Sequence, residues 1–325
     1  MRSNLCMHTL PSAQLDPARR ELARLVPADL PVDLDHVFPR LDGWGMKRSN
    51  RKRAELLAKA ASVLKAALAP DERVQYVAAG VVSLWWEHLM AGWASMLINR
   101  TTLVLTTQRL LLIHTNSRGR PESYVNQILL DGIRSVKRGW LGGALKLTLG
   151  RGRWTLTGLR RSDSAQLVTM LAGRPTAASG VTALCPACFE AAAGHRACAR
   201  CRTPVKSPRT AALRSLLLPG LGDFYLGHRF LASMEMVGSA ATWVFIIALM
   251  LSAFDPNSEQ SAALAAVFGG LLLLVVNGFD ALLTYAQAKK GLHSLDRHLP
   301  TTPAAGHLVA DRPRLGMSGV SPHRP

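Results

Sequence analysis

The sequence predicts a multidomain fold: a small antiparallel β-barrel or sandwich with a C-terminal helix, then a short cysteine-rich module, then an α-helical hairpin. Three observations support this prediction. Between Asp71 and Gly173, short apolar runs alternate with polar residues at the two-residue period of β-strands. Four of the five cysteines form two C-x2-C pairs. Two apolar runs follow, each longer than the roughly 20 residues that an α-helix needs to cross a membrane.

Changes in composition divide the chain into six predicted units. They are an N-terminal extension, poorly ordered with a short helix; a basic amphipathic helix; the β domain; the cysteine module; a two-helix transmembrane module; and a disordered tail. Their bounds are 1–46, 47–70, 71–174, 181–205, 213–290 and 299–325. The segments AGRPTAASG and TPVKSPRT, rich in small residues and proline, are the predicted linkers.

The composition indicates the kind of surface that the chain meets. Its 325 residues carry a formal net charge of +18, yet 48% of them are hydrophobic. A basic and apolar chain favours an anionic partner, either the cytoplasmic leaflet of a membrane or a nucleic acid, and the helical hairpin favours the membrane. The first twenty residues contain no continuous apolar segment, so we expect no secretory signal, and Cys6 is predicted to be a free thiol.

The predicted helix at 47–70 is basic and amphipathic. Its apolar residues recur at helical spacing, with arginines and lysines elsewhere around it: Leu56, Ala60, Val63, Leu64 and Ala67. Two interpretations stay open, because the apolar stripe suits either packing on the next domain or binding to anionic lipid.

The β domain reads as several half-buried strands. Leu145, Leu147 and Leu149 alternate with Lys146 and Thr148, and the following run RWTLTGL alternates in the same way. The glycines around Arg151 predict a tight turn between these two strands. A helix should close the domain, with Asp163 as its cap and Gly173 as its end.

A family resemblance appears in the same segment. The run LTTQRLLLI and the later ILLDGIRSVKRG resemble bacterial pleckstrin-homology-like domains, which read as a strand, a T-x-x-R-L turn and an I-x-L-x-x-I-x-S-V segment before paired strands and a terminal helix. The matching residues are Thr106, Arg109, Leu110, Ile128, Leu130, Ile133, Ser135 and Val136. The resemblance covers about a hundred residues. The segment Ser83–Asn99 departs from the pattern as an aromatic-rich insertion, which fits either an interfacial helix in lipid or a packing element of the barrel.

The cysteines form the strongest chemical motif in the chain. They are Cys185, Cys188, Cys198 and Cys201, spaced C-x2-C-x9-C-x2-C. Each C-x2-C pair brings two thiolates to one ion, and two pairs complete a tetrahedral shell with no position for water, which predicts a structural Zn²⁺. An iron-sulfur cluster or redox-active thiols remain alternatives. The C-P-x-C start resembles the short zinc-ribbon family, although Phe189 stands where that family usually has glycine.

The two long apolar runs predict a transmembrane hairpin. They are 230–254 and 262–286, and lysines and arginines flank the pair on both outer sides, while the connecting loop has no basic residue. Since basic flanks stay in the cytoplasm, we expect both termini and the soluble domains to lie on the cytoplasmic side of a bacterial-type inner membrane. The alternative is a buried hairpin in a large soluble core.

The sequence before the first run resembles the TM-two domain, a two-helix membrane module. Its G-x-x-x-F-Y-L-G pattern matches Gly220, Phe224, Tyr225, Leu226 and Gly227. A polar seam between the two helices is also predicted, from three residues at suitable depths: Glu235, Asn277 and Asp280. Interhelical hydrogen bonding explains such a seam, and an ion path through several assembled copies is the alternative.

No catalytic motif is present, so we expect no enzymatic activity and predict a binding or scaffolding role. The predicted contact for an anionic membrane surface, its lipid headgroups or a protein partner is a basic set on the β domain: Arg134, Lys137, Arg138, Lys146, Arg151 and Arg153. Two other functions stay open. One is a subunit of a self-assembling, homo-oligomeric channel or transporter, and the other is nucleic-acid binding through the zinc ribbon, which membrane tethering disfavours.

Overall fold

A computed structural model describes residues 16–82, 87, 96, 98–139, 143–172, 180–192, 197–253, 262–295 and 299. This part of the chain holds eight α-helices and eight β-strands. The helices are α1 Pro17–Ala23, α2 Leu34–Val37, α3 Met46–Ala67, α4 Arg161–Leu171, α5 Pro208–Leu217, α6 Leu221–Leu226, α7 Arg229–Ala253 and α8 Ala262–Ala288. The strands are β1 Val74–Val82, β2 Arg100–Thr106, β3 Arg109–Thr115, β4 Pro121–Leu129, β5 Ile133–Arg138, β6 Leu145–Leu149, β7 Arg153–Thr157 and β8 Val181–Leu184.

All eight strands belong to one antiparallel sheet in the order β5-β6-β7-β1-β2-β3-β4-β8. The two edge strands, β5 and β8, do not pair with each other, so the sheet is open. Of the barrel and the sandwich that the sequence predicts, the closed barrel is therefore wrong for the described strands. The edge of β4 is instead covered by β8, which comes from the segment just before the cysteines and pairs along Val125–Ile128.

The central strands are buried on both faces, which explains their nearly continuous apolar sequence. In β2, Leu103 and Leu105 point into a core shared with α4, whereas Val104 points into a second core beneath α3. In β3, Leu112 and Ile113 divide between the two cores in the same way. Strands β6 and β7 are covered more on one face than on the other, as their alternating sequence predicts.

Helix α3 packs its apolar stripe on the sheet, so of the two interpretations of this segment the structure supports packing. Leu57 and Leu64 are fully buried against the strands. Arg53 is also buried, because its guanidinium donates to Asp163 Oδ1 at 2.6 Å and to the Tyr76 hydroxyl at 2.6 Å. Asp163 therefore does not cap α4 as we expected; the cap position is Arg160, which makes no side-chain cap bond.

The T-x-x-R turn between β2 and β3 forms a buried brace. Arg109 donates to both carboxylate oxygens of Glu72, at 2.9 and 2.8 Å, and to the Ala67 carbonyl at the end of α3 at 2.7 Å. The Thr106 hydroxyl donates to Glu72 as well, at 2.6 Å. Burial alone would raise the pKa of Glu72, but these bonds outweigh it and hold the pKa below its ordinary value. The two residues of the resemblance motif therefore join α3 to the sheet.

Two helices are long and apolar enough to cross a membrane. The spans are Arg229–Ser252 in α7 and Ala266–Ala288 in α8. Only 11% and 17% of the residues in their most apolar windows are buried within the protein. Helices in the core of a soluble protein bury most of their surface, so these exposed apolar faces favour a membrane over the soluble alternative.

Candidate metal centre and the junction with the membrane helices

The four cysteines converge on one point. The Cys185 and Cys201 Sγ atoms are 3.5 Å apart, those of Cys188 and Cys198 are 3.7 Å apart, and all four sulfurs lie within 4.8 Å of one another. None of them forms a disulfide. Four thiolates around a tetrahedral Zn²⁺ at about 2.3 Å are separated by about 3.8 Å, which is close to the spacing in this cluster.

Two turns of the same form present these cysteines. The N–H of Phe189 donates to the Cys185 carbonyl at 2.9 Å, and the N–H of Arg202 donates to the Cys198 carbonyl at 2.9 Å. Phe189 and Arg202 both have positive φ, 54° and 57°. The missing glycine after the first pair has therefore not changed the turn, because a non-glycine residue accepts the left-handed conformation at both places.

The cysteine module is continuous with the sheet. Strand β8 leads directly into Cys185, and the side chains of Leu184 and Phe189 are buried in the core beneath α3. On the other side of the module, Val205 forms a β-bridge with Ser294, just beyond α8. The cysteine cluster thus stands between the edge of the sheet and the end of α8.

The predicted seam residues lie among buried polar groups. Asp280 Oδ2 accepts the Gly220 N–H at 3.1 Å, and carboxylate oxygens of Asp280, Glu235 and Asp223 lie within 4.8 Å of one another. The Asn277 amide donates to the Leu216 carbonyl of α5 at 3.1 Å. The seam therefore joins α7 and α8 to the two short helices before them.

Two members of this polar cluster, Asp223 and Ser215, were not predicted from the sequence. The Asp223 carboxylate accepts a hydrogen bond from the Thr284 hydroxyl at 3.0 Å, and Thr284 and Ser215 hydroxyls are 2.9 Å apart. Asp223 also contacts His228 Nδ1 at 3.0 Å. A signal was present, because Asp223 is an acidic residue inside the apolar phrase LLLPGLGDFYLG. We had interpreted that phrase only through its glycines and aromatic residues.

Lys290, two residues beyond the end of α8, ties the two candidate membrane helices to the sheet. Lys290 Nζ lies 2.6 Å from Glu87 Oε2 and 2.7 Å from Asn99 Oδ1, and its backbone carbonyl accepts a bond from the Asn126 side chain on β4 at 2.6 Å. Burial lowers the pKa of Lys290, although Glu87 acts in the opposite direction. Among residues 83–99, the structure describes only Glu87, Met96, Ile98 and Asn99, so the predicted helix there lies largely outside the described residues.

Three histidines meet at the same junction. The rings of His114 and His228 are 5.8 Å apart, those of His228 and His293 are 6.1 Å apart, and Tyr124 stacks on His114 at 4.7 Å. Burial, with a contribution from His228, lowers the pKa of His114 to about 4, and burial lowers that of His293 well below its ordinary value. A nitrogen of the His114 ring lies 2.6 Å from the Ile98 carbonyl oxygen, so the ring joins the sheet to the segment before β2.

A cavity of about 460 Å³ opens beside the histidines. Its walls are His114 and Asn116 of the sheet and, at the start of α7, Arg229, Phe230 and Met234. The cavity thus brings polar groups of the sheet against the first apolar turn of a candidate membrane span.

The basic set of the β domain lies at the opposite end of the sheet, on β5, β6, β7 and the turn between the last two. All six side chains are exposed: Arg134, Lys137, Arg138, Lys146, Arg151 and Arg153. The structure therefore exposes them to solvent and brings none of them to the cysteine cluster.

A scan against protein-family models finds no match to this chain, and neither does a search of the curated proteins. The resemblances to pleckstrin-homology-like domains, zinc ribbons and TM-two domains thus remain predictions from the quoted motifs.

Proposed function

We propose that the protein is a membrane-anchored, non-enzymatic binding protein of the cytoplasmic membrane. In this proposal α7 and α8 are the anchor, the sheet is a pleckstrin-homology-like domain on the cytoplasmic side, and its basic strands bind anionic lipid headgroups. The basic flanks of the two helices support this orientation. The contacts of Lys290 and His114 support a sheet that stays at the membrane surface.

The arrangement of charge on β5, β6 and β7 is the observation that carries the proposal. Lys137 and Lys146 are directly opposite each other across the β5–β6 pair, and Arg153 follows on the same face of β7. Like charges opposite each other destabilise a sheet, so this row is not explained by folding. The three strands contain no acidic residue. An anionic surface that spans three strands would compensate the repulsion.

The first prediction tests headgroup binding with the full-length protein in detergent. We expect short-chain phosphatidylglycerol to bind more tightly than short-chain phosphatidylcholine, and the difference to shrink as salt is added. Lys137→Glu, Lys146→Glu and Arg153→Glu together should weaken phosphatidylglycerol binding at least tenfold. Microscale thermophoresis measures both affinities.

A matched control reverses three exposed charges elsewhere. Lys47, Arg48 and Lys52 lie on the exposed part of α3, and changing all three to glutamate should leave the affinity unchanged. Equal affinity for the two lipids, or equal losses in the two triple variants, would rule out headgroup recognition by these strands.

We propose that the four cysteines hold a structural Zn²⁺. The sulfur spacing and the two equivalent turns support zinc, and four thiolate ligands would leave no open position for substrate or water. The ion would fix the segment after β8 and so keep the edge of the sheet covered.

The second prediction concerns the metal content of the purified full-length protein. Elemental analysis by mass spectrometry should find about one zinc per chain, and Cys198→Ser should lose it because one of the four ligands is removed. Cys6→Ser is the matched control and should keep its zinc. Iron in place of zinc, or metal retained by Cys198→Ser at the wild-type level, would contradict the proposal.

A further inference from the structure

We propose that α5 and α6 form a re-entrant hairpin, which enters the membrane on the side of the sheet, reaches about half its depth and returns to the same side. The proposal rests on the assignment of α7 and α8 as membrane spans. The acyl chains of one leaflet would cover the outward surface of the hairpin.

The two ends of the hairpin are adjacent. The backbone N–H of Ser207, the cap of α5, lies 3.3 Å from the Tyr225 hydroxyl at the end of α6, and Lys206 Nζ lies 3.2 Å from the Leu226 carbonyl. The Lys206 N–H donates to the carbonyl of His293, beyond the end of α8, at 2.9 Å. The hairpin therefore begins and ends at the level where α8 ends.

The contacts with α8 give the depth of the hairpin. Along α5, the Ser215 hydroxyl contacts the hydroxyl of Thr284, and the Leu216 carbonyl accepts a hydrogen bond from the Asn277 side chain. Asn277 precedes the last residue of α8, Ala288, by 288 − 277 = 11 positions, which is about 16 Å along a helix axis. That is about half of the roughly 30 Å hydrocarbon layer. Helix α5 has 10 residues, so it is about 15 Å long, enough to reach this depth and too short to cross.

The chain reverses where protein groups satisfy its backbone. Gly220 has φ +86°, and its N–H donates to Asp280 at the turn between the two helices. A Cβ on Gly220 would lie 2.6 Å from the Ala232 carbonyl oxygen, and one on Gly222 would lie 2.4 Å from the Ala211 carbonyl oxygen. Non-helical backbone is tolerated at membrane depth only when it is buried in protein, and this turn meets that condition.

The two sides of the hairpin differ in polarity. Ser215 and Asp223 are buried against α8, whereas Leu213, Leu217 and Phe224 are 62%, 77% and 52% exposed. In water these residues would form an exposed apolar patch, but they continue the exposed apolar faces of α7 and α8. Because the apolar surface is continuous across the hairpin, α7 and α8, we infer that lipid covers all of it.

Arg214 is the one basic residue within α5 beyond its first turn. Its contact with Tyr225 agrees with a position of the charge near the membrane interface. Its guanidinium stacks 4.3 Å from the ring of Tyr225, at the end of α6. The side chain thus points back toward the level where the hairpin begins, as arginines near membrane interfaces do.

The third prediction is tested by spin labels on the full-length protein in liposomes, with Cys6 replaced by serine. Leu217→Cys reports the tip of α5, and Val237→Cys reports α7 at a similar distance from its start. Both positions are exposed, so the labels disturb no packing. We expect both nitroxides to collide more with oxygen than with a water-soluble nickel chelate. Arg209→Cys, on the first turn of α5, should show the opposite ratio, and Phe224→Cys an intermediate one.

The alternatives give different patterns. If Val237→Cys is protected from the chelate while Leu217→Cys is accessible to it, the hairpin lies in water and the inference fails, although the anchor stands. If both are accessible, the membrane assignment of α7 fails and the hairpin fails with it. Protection of all three α5 and α6 positions, Arg209 included, would also overturn the inference, because the chain would then not return to the interface where α5 begins.

Discussion

At the scale of single residues, the buried histidines make the protein sensitive to acid. His114 is 3% exposed and His293 is 1% exposed. Around the ring of His114 stand His228, Tyr124 and Lys290, none of which offers a negative charge. A protonated ring is therefore unfavourable here, and the folded protein holds the neutral form, whose single N–H donates to the Ile98 carbonyl.

The fourth prediction follows from the sign of this shift. The pKa of His114 is about 4 when folded and 6.5 as an unperturbed side chain. Between these pH values the unfolded chain binds the extra proton, so the free energy of unfolding falls as the pH falls. Acidification from pH 7 to pH 5 should cost about 2 kcal/mol from His114 alone. Thermal unfolding midpoints of the detergent-solubilised protein across this range measure the loss.

Substitution separates His114 from the other titrating groups. His114→Phe keeps an aromatic ring against Tyr124 and removes the titration, so the midpoint should depend less steeply on pH. His293 would supply the remaining slope. His36→Gln is the control, since the side chain of His36 is 54% exposed and lies far along the sequence from the junction. An unchanged slope in His114→Phe would show that this ring is not the source.

The cysteines and Asp223 differ in how far the sequence predicts them. Cys185 and its partners were predictable because each C-x2-C pair is a local turn, and the structure adds only the convergence of the two turns. Asp223 was not, because its role depends on Thr284 and Glu235, which are distant in the sequence. A side chain whose partners come from other elements has no local pattern to reveal it.

At the scale of elements, periodicity predicted the strands and α3 but not the way they are joined. The apolar spacing in α3 predicted a helix with one buried stripe, and the structure confirms it. Arg53 was expected to face outward with its basic neighbours, yet it pairs with Asp163 from an element 110 positions away. Leaving either charge buried without the other would cost about 3–5 kcal/mol. Such pairs fix which helix faces which strand.

The open sheet shows the limit of prediction for topology. The strand pattern is the same for a closed barrel and for an open sheet, because both bury alternate residues. What decides between them is the last strand, β8, which has only four residues and precedes the cysteines. We assigned that segment to the metal module, although its pairing with β4 makes it part of the sheet.

The short helices α5 and α6 were hidden for a related reason. The run SLLLPGLG is too short for a membrane span and is interrupted by proline and glycine. Helix α5 is held by hydrogen bonds to α8, which join Ser215 to Thr284 and the Leu216 carbonyl to Asn277. The length rule for membrane helices applies to segments that cross the bilayer, so it gives no prediction for a segment this short.

At the scale of the whole molecule, Lys290 and the residues around it connect the sheet to the end of α8. The side chain of Lys290 is 10% exposed and that of Glu87 is 1% exposed. The backbone next to them is packed as closely, because a Cβ on Gly291 would lie 2.3 Å from the ring of Tyr124. The orientation of the sheet relative to α8 thus depends on a buried ion pair and a close backbone contact.

The fifth prediction is that Lys290→Gln loosens this connection, because Glu87 would then lose the ammonium group that lies 2.6 Å from its carboxylate. The expected loss is about 3–5 kcal/mol of stability, with faster hydrogen exchange in β4 than in β6, since β4 contacts Lys290 through Asn126. Lys289→Gln is the matched control, because that neighbouring lysine is exposed and its ammonium group lies over the ring of Tyr285. Glu87→Gln combined with Lys290→Gln should recover part of the loss, since no unpaired charge remains. Equal exchange in the two lysine variants would show that the ion pair does not hold the sheet, and the packing of Gly291 against Tyr124 would then be sufficient.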